Sequence, residues 1–240
     1  MIPVSDTVRS RTTPYVNVAL ILVNAAVFIY ELTLSQLDVN LFFIDHGVIP
    51  ARLVHWVENP SGLGQPLTVV TSAFIHGGWL HLIGNMLYLW VFGDNVEDAL
   101  GHFRYLVFYL VSATAAVALQ VALDQNSIVP MVGASGAIAG VLGAYLVLYP
   151  RAVVGVVIPI IWFFGAFPVP AIFLIIFWFV LQLFTGVATI GTATGASEGV
   201  AVWAHVGGFL AGFLIVLVLR PFIPGRSLSQ LTRRGRTGMW

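Results

Sequence analysis

The sequence contains no cysteine and no lysine, and charged residues make up only 8% of its 240 positions. The absence of cysteine excludes disulfide bonds and thiol chemistry, so cysteine usage gives no indication of the compartment. All ten cations are arginines, and ten acidic residues balance them to a net charge of zero. Because nucleic-acid-binding domains carry a marked positive charge, this balance argues against a nucleic-acid partner.

Hydrophobic residues make up 59% of the chain, whereas soluble domains contain roughly 45–50% apolar and 25% charged residues. The composition therefore indicates an integral membrane protein embedded in the lipid bilayer. Six apolar stretches are each long enough, at roughly 17–25 residues, to cross the hydrocarbon core, and the first exceeds the h-region of a cleaved signal peptide. We predict an all-α membrane protein, a bundle of six transmembrane helices at residues 15–35, 79–96, 103–123, 133–149, 169–187 and 201–219.

Two segments between these stretches require interpretation. Residues 36–78 form a long loop between helices 1 and 2, in which Leu41-Phe42-Phe43 and residues 51–56 are typical of short helices at the membrane surface. The uncharged stretch Ala152–Phe184 is too long for one span and is interrupted by prolines. It could form two helices, giving seven in total, but we expect its first half to run along the interface and only its second half to cross.

The arginines favour six spans, because cytoplasmic loops collect positive charge. With six spans, residues 1–14 and the basic tail 220–240 both lie in the cytoplasm around a membrane domain of residues 15–219, and Arg52 is the one arginine outside. Seven spans would export the five arginines of the tail. Helices 2, 4 and 6 then all begin at the outer side, which places the polar residues near their starts at one depth: His81, Asn85, Ser135 and His205.

These residue types are suited to acyl transfer. A serine hydroxyl becomes a nucleophile when a base takes its proton, and His205 is a candidate base for Ser135. His81 and Asn85 are four residues apart on one helix face, and with the free backbone N–H of Ser135 they could stabilise an oxyanion. We expect a dyad, because the nearest candidate carboxylate, Glu198, is separated from His205 by the apolar start of helix 6. No clustered ligand set suggests a metal, and no cofactor is expected.

Small residues would allow helices 4 and 6 to approach closely. Gly136 and Gly140 form a GxxxG pattern on helix 4, and Gly208 and Gly212 form another on helix 6. Taken singly, each of these features has a structural explanation, since GxxxG is common packing and a lone serine, histidine or asparagine often bonds within the bundle. The combination of four polar residues on three helices at one depth is more specific.

Three motifs resemble the signatures of the rhomboid intramembrane serine proteases in order, spacing and helix placement: His81-Leu-Ile-Gly-Asn85, Gly133-Ala-Ser135-Gly136 and Ala204-His205-Val-Gly-Gly208. Residues 73–80 and 92–101 are also similar to rhomboid sequence. The resemblance implies a six-helix core with Ser135 as nucleophile and His205 as base, an oxyanion hole made by His81, Asn85 and the Ser135 N–H, and a loop braced by His76. It implies substrates that are single-span membrane proteins, cut near the outer surface after a small side chain.

The chain departs from the family pattern at two places. A tryptophan–arginine pair of some members is replaced by Leu67 and Thr68, and an aromatic residue that many members place behind the catalytic histidine is replaced by Ala139. Trp203 and Tyr145 are candidate substitutes for that ring.

Two other functions stay open: a catalytically silent binder of transmembrane helices, and a transporter with a polar path. The short tails favour a bacterial inner membrane, whereas the sequence indicates neither the substrate nor the oligomeric state.

Overall fold

A computed structural model describes residues 2–158, 165–189 and 201–223. The described chain is mostly helical, and three of its helices are individually long and apolar enough to cross a membrane: His102–Leu123, Ala171–Ala188 and Val202–Phe222. The helices are α1 (Tyr15–Glu31), α2 (Gln36–His46), α3 (Pro50–Glu58), α4 (Gly64–Thr71), α5 (Trp79–Tyr88), α6 (Asp94–Leu100), α7 (His102–Leu123), α8 (Ser135–Leu148), α9 (Ala171–Thr189) and α10 (Val202–Leu219).

The apolar stretches of the sequence correspond closely to helices. The second stretch consists of α5 and α6, which a π-helical turn at Leu89–Gly93 joins. The helical segment Trp79–Leu100 that they form is bent by 81° relative to the preceding segment Gly64–Phe74. The helix α8 has only 14 residues, which gives a length of about 21 Å at 1.5 Å per residue. This is short for a membrane span, but almost every residue of α8 is buried among neighbouring helices.

Helix α8 packs most extensively against α10, and α7 packs against both of them. The four glycines expected to allow close approach face one another or a neighbouring helix. A methyl group on Gly208 would overlap the carbonyl of Gly136, and one on Gly212 would overlap the carbonyl of Gly140. Any side chain at these positions would therefore separate α8 from α10.

A small antiparallel sheet, which the sequence analysis did not predict, lies beside this bundle. Its order is β1 (Ile2–Asp6), β2 (Val153–Val157) and β3 (Ala166–Pro170). The first half of the uncharged stretch Ala152–Phe184 thus contributes two strands, and its second half forms α9. In β2 the side chains of Val154 and Val156 point into the core and are fully buried. A run of β-branched valines favours a strand, and β1 supplies the partner edge.

The segment between α1 and α5 contains α2, α3 and α4, so the two expected short helices are present. The connection between α2 and α3 is hydrogen-bonded to the loop between α7 and α8, because Val48 and Met131 exchange backbone hydrogen bonds of 3.0 and 2.7 Å. The hydroxyl of Thr71 also donates to the carbonyl of His46. These contacts fasten the segment without the tryptophan–arginine pair that Leu67 and Thr68 replace.

Candidate active site

Ser135 is the first residue of α8 and lies within hydrogen-bond distance of His205 near the start of α10. The distance between Ser135 Oγ and His205 Nε2 is 2.8 Å. The glycine contacts between α8 and α10 place these two helix starts side by side, and the Gln120 side chain on α7 accepts a hydrogen bond from the Ala204 N–H at 3.2 Å. The structure thus brings together the serine and the histidine that the sequence analysis paired.

His81 lies beside the turn that leads into α8. At this turn Gly133 has a φ of +124°, and a Cβ there would lie 2.6 Å from His81 Nε2. Gly133 is therefore needed both for its backbone conformation and for the space that the imidazole occupies. The Gly133 N–H donates to the carbonyl of Ser72 at 2.8 Å, which fixes the turn.

Asn85 lies one helical turn after His81 on α5 and is buried. Its Nδ2 donates to Nε2 of His76 at 3.0 Å, and the His76 backbone N–H donates to the Glu31 carboxylate at 3.1 Å. His76 therefore links α1 to α5 and holds the Asn85 side chain. The rings of His76 and His81 pack edge to face, 5.0 Å apart.

The other ring nitrogen of His205 contacts a residue that the sequence analysis missed. His205 Nδ1 is 3.0 Å from Oε1 of Gln182 on α9, and the Trp178 ring lies 6.0 Å from the imidazole. Gln182 is the single amide in the apolar stretch 171–184, and a polar residue in such a stretch is a functional signal. That signal could have identified it.

Neither expected substitute for the missing ring is seen to contact His205. The Tyr145 hydroxyl donates to Asp6, and Tyr145 is ten residues beyond Ser135, about 15 Å along the helix. The ring of Trp203 lies against Gly186, where an added Cβ would be 3.1 Å from it. Glu198, the alternative carboxylate partner, lies outside the described residues, as does the tail from residue 224 onward.

A cavity of about 40 Å³ adjoins Ser135. Small residues line much of it, among them Ala73, Gly133, Gly136 and Ala204. One water needs roughly 10–15 Å³ of such space, so the cavity has room for water or a small side chain. In the part of the chain that the structure describes, no group of three or more potential ligand side chains could hold a metal ion.

The chain is similar in sequence to known proteins of one family. Residues 63–222 match the Rhomboid domain family. The chain is 31% identical over 160 residues to RHOMBOID-like protein 5 of Arabidopsis thaliana, covering 66% of this chain and 46% of that protein. It is 39% identical over 90 residues to Rhomboid protein 1, mitochondrial, of Saccharomyces cerevisiae, covering 36% and 26% respectively.

A third relative is Rhomboid-like protease 5 of Toxoplasma gondii, 31% identical over 155 residues that cover 63% of this chain and 16% of that protein. The matched region spans half or less of the length of the first curated relatives. The family match itself covers two thirds of this sequence and includes α5 to α10 with all four polar residues. The chain belongs to the rhomboid family.

Proposed function

We propose that this chain is an intramembrane serine endopeptidase that hydrolyses peptide bonds of single-span membrane proteins through a Ser135–His205 dyad and an acyl-enzyme. The observation that carries the proposal is the 2.8 Å distance between Ser135 Oγ and His205 Nε2, at the start of a buried helix. A neutral imidazole at that distance can take the hydroxyl proton as the oxygen attacks a carbonyl.

The surroundings of Ser135 support this chemistry. The first N–H groups of α8 have no partner within the helix, and the helix N-terminus favours negative charge. With the His81 ring against Gly133 and the Asn85 amide held by His76, these donors are available to stabilise the tetrahedral oxyanion. The imidazolium of His205 then returns its proton to the leaving amine, and a water activated by His205 releases the acyl group.

The proposed substrate class, single-span membrane proteins, agrees with a site inside a bundle of membrane helices. All six stretches, α1, α5 with α6, α7, α8, α9 and α10, cross the bilayer in this proposal, and α2 to α4 form a membrane-associated loop. The cavity beside Ser135 fits a small side chain before the cut. Arginine bias places both termini in the cytoplasm, with the site open to the outside of a bacterial inner membrane.

A serine-reactive fluorophosphonate probe tests the proposal. The purified wild type in detergent should be labelled at Ser135, and Ser135→Ala should not be labelled. Ser112→Ala is the matched control, because Ser112 is a buried serine whose Oγ has no hydrogen-bond partner among the described residues, and this variant should be labelled like the wild type. Equal labelling of wild type and Ser135→Ala would refute the dyad and favour a silent binder of membrane helices.

A further inference from the structure

Helix α9 presents one face to the start of α10. Trp178, Gln182 and Gly186 are spaced four residues apart and therefore share a side of the helix. Trp178 packs near His205, Gln182 bonds its ring, and Gly186 accommodates Trp203. The rings of Phe179 and Phe209 stack at 4.2 Å, which holds α9 against α10 next to this face.

The contact with Gln182 has a chemical consequence for His205. An amide Oε1 only accepts hydrogen bonds, so the imidazole nitrogen that faces it must carry the proton. In a neutral imidazole the other nitrogen then has a free lone pair. That nitrogen is Nε2, which faces Ser135 Oγ, so the tautomer selected by Gln182 is the one that can accept the serine proton.

We propose that Gln182 is the positioning residue for the base: it holds His205 in the Nδ1–H tautomer and aims Nε2 at Ser135. The proposal rests on the proposed function of the dyad. In serine hydrolases with a triad a carboxylate performs this role, and here a neutral amide on a separate helix performs it. The amide also supplies the support behind His205 that Ala139, a small residue buried in α8, does not provide.

Two substitutions of similar size separate positioning from packing. Gln182→Met keeps the length of the side chain but removes the acceptor, whereas Gln182→Glu retains an acceptor oxygen in either protonation state. We expect Gln182→Met to lower the rate of fluorophosphonate labelling of Ser135 about tenfold, equivalent to about 1.4 kcal/mol. We expect Gln182→Glu to stay much closer to the wild type. Phe184→Leu, at an exposed position of α9, should match the wild type.

Labelling of Gln182→Met at the wild-type rate would overturn the proposal. An equal loss in Gln182→Met and Gln182→Glu would also overturn it, because a loss that an acceptor does not rescue indicates packing alone.

A spectroscopic measurement tests the contact independently of activity. Nitrogen NMR of isotope-labelled histidine, with the His205 signals assigned through His205→Ala, distinguishes a protonated ring nitrogen from a bare one. The wild type should carry the proton on Nδ1, and Gln182→Met should show a mixture of tautomers. A wild type with the proton on Nε2 would refute the role of Gln182. If the fluorophosphonate probe did not label Ser135 of the wild type, but the His205 proton lay on Nδ1, the proposed protease function would be contradicted. The contact between Gln182 and His205 would still stand.

Discussion

At the scale of single residues, the Asn85 side-chain amide has two N–H donors. One Nδ2 hydrogen is donated to His76, and in the proposed mechanism the second stabilises the developing oxyanion. Loss of one such donor in a serine protease lowers kcat by roughly 10²–10³. We expect Asn85→Ala to lower kcat by about 100-fold with little change in KM, because the donor acts on charge that exists only in the transition state.

Steady-state cleavage of a single-span substrate in detergent measures this effect. His76 loses its partner in the same variant, so the free energy of unfolding should fall by about 1 kcal/mol, and the assay must be run well below the unfolding midpoint. His76→Phe is the comparison variant, because it removes the hydrogen-bond partner of Asn85 but keeps the Asn85 amide. It should retain more activity than Asn85→Ala. If Asn85→Ala raised KM alone, its role would be in substrate binding.

At the scale of elements, the contact between α8 and α10 depends on glycine. A methyl group on Gly212 would overlap the Gly140 carbonyl, whereas one on Gly84 in α5 would meet nothing within 4 Å. We expect Gly212→Ala to destabilise the protein by about 1–3 kcal/mol through overpacking. Gly84→Ala, by contrast, should be neutral or stabilising by up to about 1 kcal/mol, because alanine favours helix. Thermal unfolding of both variants in one detergent measures the difference, and similar midpoints would contradict the close packing.

The strand β1 connects to the bundle through Asp6, which accepts hydrogen bonds from the Tyr145 hydroxyl and the Asn95 amide. We expect Asp6→Ala to cost about 1–3 kcal/mol, because it leaves the largely buried Tyr145 hydroxyl without this partner. Adding Tyr145→Phe removes that hydroxyl, so the double variant should lose less than the sum of the two single losses. Strict additivity in thermal unfolding would show that the contact does not couple β1 to α8.

How far the sequence predicts these elements depends on the range of the interactions. Apolar runs and arginines locate α1, α7 and α10 within a few residues, because a helix in a bilayer satisfies its own backbone. The strand β2 is different, since a short apolar run does not distinguish strand from helix and its partner β1 lies about 150 residues away in the chain. The polarity of Gln182 in an apolar stretch marks it as a candidate, but its contact with His205 depends on the rotation of α9 about its axis, which hydropathy does not fix.

At the scale of the whole molecule, the sheet adds a constraint on topology. Pairing of β1 with β2 requires the N-terminal segment and the chain after α8 to lie at the same end of the bundle. In the proposed topology, the arginine distribution places both in the cytoplasm. Under this topology Ser135, at the opposite end of α8, would lie toward the outside. The proposed function and the proposed topology are therefore linked, because an inverted chain would present Ser135 and His205 to the cytoplasm.

The absence of cysteine makes this topology directly measurable, because a single introduced cysteine is the only thiol in the chain. Ser61→Cys precedes α4 and Asn126→Cys follows α7, both at exposed positions. With α5, α6 and α7 crossing twice between them, both should react with a membrane-impermeant maleimide in intact bacterial cells. Thr13→Cys before α1 and Ser227→Cys in the tail should react only after the membrane is ruptured.

The cysteine-free wild type is the control for background labelling, and labelling after rupture verifies that each introduced thiol is reactive. Because one crossing separates residue 13 from residue 61, these two positions should always show opposite accessibility. Residues 13 and 227 should agree, since six crossings place the two ends of the chain on one side. Labelling of Ser227→Cys but not Thr13→Cys in intact cells would require an odd number of crossings, and it would overturn the six-helix topology.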